Sequence, residues 1–229
     1  MNRNFFVTGT DTGVGKTHVT ALLLAELRRR GIPAAAFKPL ACGRGGRHDA
    51  EIYAALMDHE QPLDAINPIF LRDPLAPSVA AKREGVAIDL KKVFAAYQRL
   101  ADRYPVVLVE GAGGLLVPIF SRCHSGPYFM ADLAKRLRLP LVIVARLGLG
   151  TINHTLLTVR QARSMGLTVT GVVLNDLAGG RHGLAEKTNV QEIPDLCGAP
   201  LLGVVPHGKS GCTTAVRRLC DRIFRGDLT

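Results

Sequence analysis

A chain of 229 residues, 47% of them hydrophobic, can bury one substantial core, so a single domain over residues 1–229 is expected. The formal charge of +10 suggests nucleic acid, but its clusters (Arg28 to Arg30, then Lys135, Arg136 and Arg138, then Arg217 and Arg218) fall toward ends of predicted helices, where cations complement the dipole. No nucleic-acid module accompanies them, Trp is absent, and no run reaches the roughly 18 apolar residues of a membrane helix, so neither nucleic acid nor membrane is an expected partner.

The first predicted strand, residues 4–8, flows directly into a glycine-rich turn; no signal peptide is evident, and a cytoplasmic protein is expected. The turn Gly9-Thr10-Asp11-Thr12-Gly13-Val14-Gly15-Lys16-Thr17 opens a predicted helix over 16–30, with Val19, Leu22, Leu23 and Leu27 at helical spacing. A Gly-Lys-Thr triplet alone is often an ordinary turn; between this strand and this helix it reads as a phosphate cradle. Backbone N–H groups surround the phosphates, Lys16 reaches the β/γ oxygens and the Thr17 hydroxyl holds Mg²⁺. The loop is a variant, because the position of the first glycine in the strict pattern holds Thr10 and the glycine is Gly9.

A second strand, 34–38, ends at Lys38-Pro39; the proline biases Lys38 toward extended backbone, at a strand end where a second cation can meet a γ-phosphate. The helix predicted over 48–57 carries Asp49 in its first turn, where the ordinary role is an N-cap. After a helix over 90–102, the strand 106–110 ends on Glu110 and continues as Gly111-Ala112-Gly113-Gly114, a carboxylate suited to Mg²⁺ followed by room for phosphate or substrate. A helix over 130–138, a strand over 141–145 and a helix over 152–165 follow, with Gly148 to Asn153 as a loop whose free N–H groups suit a carboxylate. Strands over 169–175 and 201–205 and a helix over 213–224 complete the pattern. Continuous apolar strands alternating with helices imply an α/β fold, a doubly wound parallel sheet of the P-loop nucleoside triphosphate hydrolase type, with ligands beyond the carboxyl ends of the strands. Five cysteines (Cys42, Cys123, Cys197, Cys212, Cys220), without a Cys-x-x-Cys pair, read as reduced thiols.

The P-loop, Lys38-Pro39, Val109-Glu110-Gly111-Ala112-Gly113-Gly114, Gly150-Thr151-Ile152-Asn153-His154 and Asn175-Asp176 together closely resemble the dethiobiotin synthetases of biotin biosynthesis, in order and spacing, over about residues 1–207. The resemblance implies an ATP- and Mg²⁺-dependent ligase that closes a cyclic urea on 7,8-diaminononanoate with CO₂, through a carbamate and a carbamic-phosphoric anhydride. It implies Lys16 and Lys38 as catalytic cations and Thr17, Asp49 and Glu110 as the Mg²⁺ ligands. Nucleotide contacts would come from Gly13, Val14, Gly15, Lys16, Thr17, His18, Asp49, Glu110, Gly111, Ala112 and Gly113, with Asn175, Asp176, Val205, Pro206 and His207 around the base. Thr12, Lys38, Cys42, Gly150, Thr151 and Asn153 would meet the diamine, the last three across a homodimer interface. Cys42 departs from the family's frequent Ser or Thr, and the tail beyond His207 resembles the family poorly. The segment 121–126 is either a loop over the site or a surface connection. Two other readings compete: a corrinoid-amidating synthetase, for whose glutaminase domain this chain is short, and an ATP-switched positioning protein, whose signature lysine is replaced here by Asp11.

Overall fold

Runs such as Val106-Val107-Leu108-Val109 have no polar face, and a strand of that kind is stable only when covered on both sides. The computed structural model describes residues 3–121, 126–180, 182–208 and 212–224. β1 (Phe5–Gly9) leads into α1 (Lys16–Arg29); β2 (Ala34–Phe37) is followed by β3 (Leu40–Cys42), α2 (Gly43–Leu56), α3 (Leu63–Ile66), β4 (Ile69–Leu71) and α4 (Pro77–Glu84). Next come α5 (Leu90–Arg103), β5 (Val106–Gly114), β6 (Pro118–Phe120), β7 (Tyr128–Phe129), α6 (Met130–Leu137), β8 (Leu141–Arg146) and α7 (Thr151–Ser164). The order ends with β9 (Val169–Asn175), α8 (Leu184–Cys197), β10 (Leu201–Val205) and α9 (Cys212–Ile223).

Six strands form one parallel sheet in the order β10-β9-β8-β1-β5-β2, and β3-β4 and β6-β7 are small separate pairs. Register does the positioning. Phe6 and Phe37 both pair with Val109 from opposite sides, so Lys38, one residue beyond Phe37, emerges beside Glu110, one residue beyond Val109. The turn that follows β1 opens on the same edge. Lys38 is pinned at that point: its N–H donates to Ile66 O at 2.8 Å, and Asn67 Nδ2 donates to its carbonyl at 2.8 Å.

The six predicted strands all form, at bounds within a residue or two except at the end of β5. β5 runs on through the glycines to Gly114, which pairs with Gly9, because the neighbouring β1 supplies the ladder that glycine propensity does not. α2 starts at Gly43, five residues earlier than the predicted 48, so Asp49 lies within the helix and the N-cap reading of it is corrected. α3, α4 and α8 are additional to the predicted helices. α3 is a single turn, and α8 carries Pro194 inside it and buries only Asn189, Ile193 and Cys197. Residues 122–125 of the 121–126 segment and 209–211 of the tail lie outside the described residues.

The Arg28 to Arg30 cluster is engaged within the fold. Arg28 pairs with Asp58 and Glu60, and Arg30 Nη1 meets Asp221 of α9 at 2.6 Å. Glu26, buried between α1 and its neighbours, accepts from Arg29 Nε at 2.7 Å and Arg30 Nε at 2.8 Å. The Arg29 hydrogen bond, aided by Arg30 and opposed by burial, lowers the Glu26 carboxyl to about 2. A depressed acid contributes stability above its unfolded value and loses it as pH falls through the folded one. The Glu26→Gln variant is therefore expected to be about 1–3 kcal/mol less stable at pH 7. Denaturant titrations from pH 7 to pH 2 will check that the gap closes between about 4.5 and about 2.

Candidate active site

The end of β1 and the loop after it carry three glycines that no other residue replaces without strain: Gly9, Gly13 at φ +75° and Gly15. A Cβ at Gly9 would lie 2.8 Å from Asp11 O, which explains why this loop has its glycine at 9 and tolerates Thr10. Gly15 caps α1 at φ +91°, and a Cβ there would lie 2.0 Å from Asn175 Nδ2. The α1 N-terminus presents its unpaired N–H groups to the cleft. Lys16 folds over them and donates to Asp11 O at 3.0 Å. Burial, opposed by Glu110 and reinforced by Lys38, lowers its ammonium to about 8.

Lys38 sits between two carboxylates, 2.8 Å from Asp49 Oδ2 and 2.7 Å from Glu110 Oε1. Burial opposes its charge, yet Glu110 and Asp49 together outweigh burial and hold the ammonium above its ordinary range. Glu110 Oε1 also accepts from Thr17 Oγ1 at 2.9 Å, and Glu110 Oε2 accepts from the Tyr53 hydroxyl. Burial and Glu110 raise the Tyr53 phenol well above its usual value, so it remains a donor.

Lys16, Thr17, Lys38, Asp49 and Glu110 line a cleft of about 580 Å³, with Thr12, Gly13, Cys42, Ala112 and Gly113 on its walls and the α4 start at Ala76-Pro77 closing one side. Burial pushes the Cys42 thiol up to about 11, so it is a neutral wall group and not a nucleophile. Gly111 backs onto the Phe6 ring.

The chain matches, over residues 3–210, a family model described as an AAA domain. It is 42% identical over 221 residues to the ATP-dependent dethiobiotin synthetase BioD of Bacillus licheniformis, covering 95% of this chain and 91% of that protein. Identity to the enzyme of the same name from Thermodesulfovibrio yellowstonii is 37%, over 90% of each chain. The chain belongs to the dethiobiotin synthetase family. Among solved structures it is similar to the septum site-determining protein MinD of Pyrococcus horikoshii (TM-score 0.60, 17% identity, 98% of this chain and 97% of that one). Aquifex aeolicus MinD gives a TM-score of 0.61 at 16% identity over 96% of each chain. At such identity the likeness is one of fold. In the P-loop, Asp11 Oδ1 accepts from Thr12 N at 2.7 Å and shapes the turn.

The other residues expected in a dethiobiotin synthetase site lie in two further groups. Asn175 ends β9, level with Val205 of β10, and its Nδ2 donates to Val14 O at 3.0 Å, tying this edge to the P-loop. Asp176 accepts from Gly179 N at 3.0 Å and from His182 Nε2 at 2.8 Å, and the His182 hydrogen bond lowers its pKa. Pro206 and His207 follow β10, with the exposed His207 ring against Gly179, while His18 faces a separate groove of about 480 Å³ between α1 and α9. Gly150, Thr151 and Asn153 start α7 and do not line the cleft of this chain. Their loop is held by Asn189 Nδ2 on Gly148 O at 2.8 Å.

Sequence reasoning missed Tyr53, Asn67 and Asn189. Tyr53 falls in the helix predicted over 48–57, whereas Asn67 and Asn189 fall in no predicted element; only the four-residue spacing from Asp49 to Tyr53 carries a trace. For Gly15→Ala, calorimetry is expected to show ATP affinity weakened by roughly tenfold or more, since the left-handed backbone and the Asn175 contact are both violated. Affinity within about twofold of the parent would remove the loop geometry from nucleotide binding.

Proposed function

We propose that this chain closes the cyclic urea of dethiobiotin on 7,8-diaminononanoate, using CO₂ and ATP and releasing ADP and phosphate. The observation that carries the proposal is the buried Lys38 ammonium between Asp49 and Glu110, directly beside the P-loop, in a chain of this family. The contiguous core formed among the described residues supports treating residues 1–229 as a single domain.

In this reading one substrate amine adds to CO₂, losing a proton, and the carbamate lies between Thr12 and Lys38. A carbamate oxygen attacks the γ-phosphorus and the bond to the ADP oxygen breaks. Lys16 and the α1 N–H groups hold the phosphates in line, and Lys38 offsets charge on the transferring group. The second amine then attacks the carbamoyl carbon, loses its proton and expels phosphate. Alignment by the cleft walls keeps the two amines within reach of one carbon.

The donor set fits Mg²⁺: two carboxylates already gathered round one cation, Lys38, and a hydroxyl bonded to one of them, all hard oxygen ligands. Among the described residues no cluster of three or more His, Cys, Asp or Glu is present. Thr17, Glu110 and Asp49 would hold the ion, directly or through water, and it would neutralise β/γ charge.

Asn175, Asp176, Val205, Pro206 and His207 would form the base pocket. The α7 start would hold the carboxylate tail of a substrate bound to a second copy, a reading supported by its position away from the cleft and by exposed leucines at Leu149, Leu157 and Leu184. The enzyme would act in the cytoplasm; no helix among the described residues is long and apolar enough to cross a membrane.

The test is ADP release from Mg-ATP and bicarbonate with and without 7,8-diaminononanoate, with the organic product identified by mass. Diamine-dependent release with a product heavier by one carbonyl less two hydrogens is expected. ADP release indifferent to the diamine and stimulated by DNA or lipid vesicles would overturn the proposal in favour of an ATP-switched positioning protein.

A further inference from the structure

Glu110 is 1% exposed and accepts from three side chains. Thr17 and Lys38 share Oε1, and Tyr53 has Oε2. The chemistry proposed above redirects the first two donors, Thr17 toward the metal and Lys38 toward the carbamate and γ-phosphate. The Tyr53 hydroxyl has no such second task. It is fully buried on α2, one helical turn after Asp49, whose carboxylate takes the other hydrogen bond of Lys38. One face of one helix therefore holds both sides of the Lys38 bridge.

We propose that Tyr53 is a positioning residue of the metal-nucleotide site, its hydroxyl fixing the Glu110 carboxylate with Oε1 toward Thr17 and the cleft while Thr17 and Lys38 change partners. The inference rests on the reading of Glu110 as a Mg²⁺ ligand. A carboxylate fixed before the cation arrives loses less freedom on binding it, and outer-sphere partners of ligating groups act in this way. The plainer possibility is a core tyrosine whose hydroxyl merely finds an acceptor. The two differ in what happens when only that hydroxyl is removed.

Tyr53→Phe keeps the ring and removes the donor. The measurement is ATP affinity by calorimetry, with excess Mg²⁺ and with EDTA, for the parent, Tyr53→Phe and Glu110→Gln, each checked for cooperative unfolding. The Mg²⁺-dependent gain in affinity is expected to shrink by roughly tenfold in Tyr53→Phe, with metal-free affinity within about twofold of the parent. Glu110→Gln is expected to lose the gain as well. If Glu110→Gln loses it and Tyr53→Phe keeps it, the role of Tyr53 is overturned while the reading of Glu110 stands. If Tyr53→Phe weakens metal-free and metal-bound affinity equally, Tyr53 is only structural. If Glu110→Gln keeps the gain, the reading of Glu110 falls and this inference falls with it.

Discussion

A lysine ammonium buried between two carboxylates is the constraint on which this site depends. Each of these charges alone would cost several kcal/mol to remove from water, and removing one partner of such a group destabilises by about 3–5 kcal/mol. Lys38, Asp49 and Glu110 are tolerable because Lys38 meets the two carboxylates at 2.8 and 2.7 Å and because Thr17 and Tyr53 also donate to Glu110. Lys16 adds a second cation nearby, and its burial beside Lys38 is what brings its pKa down. The cluster holds opposed charge in a form that an incoming anion and a hard cation can rearrange without drawing in bulk water.

The sheet makes this arrangement geometrically inevitable. With β5 between β1 and β2, the first residues beyond Val109 and Phe37 must emerge side by side, and the loop after β1 opens on the same edge. α2 then crosses above, bringing Asp49 and Tyr53 down onto Lys38 and Glu110. Asn67 locks the Lys38 backbone from below. Precision comes from rigid elements and not from long loops, as the proposed alignment of two amines and a phosphoryl group would require.

Much of this was legible in the sequence, for physical reasons. Strands of a parallel sheet covered on both faces are largely apolar, so β1, β2, β5, β8, β9 and β10 announce themselves, and a P-loop has few ways to be written. Lys38 and Glu110 were legible as polar residues ending apolar strands. What was hidden depended on tertiary neighbours. Gly43 to Arg47 reads as a loop by propensity but is helical, so the first-turn placement that made a cap the ordinary role of Asp49 does not hold. Tyr53 occupies a core position by its spacing, and nothing local says that its hydroxyl meets a carboxylate 57 residues away in sequence. The α7 start is visible as a helix entry, yet its distance from the cleft of its own chain appears only once the sheet is assembled.

The most direct test of the central claim is chemical rescue of Lys38→Ala. With nucleotide binding and cooperative unfolding first verified, diamine-dependent ADP release is expected to fall by about a hundredfold or more and to recover in part when methylammonium or ethylammonium is added, since removal of the side chain leaves space for a small cation between Asp49 and Glu110. Turnover at the parent rate, without any response to the added amines, would contradict the account.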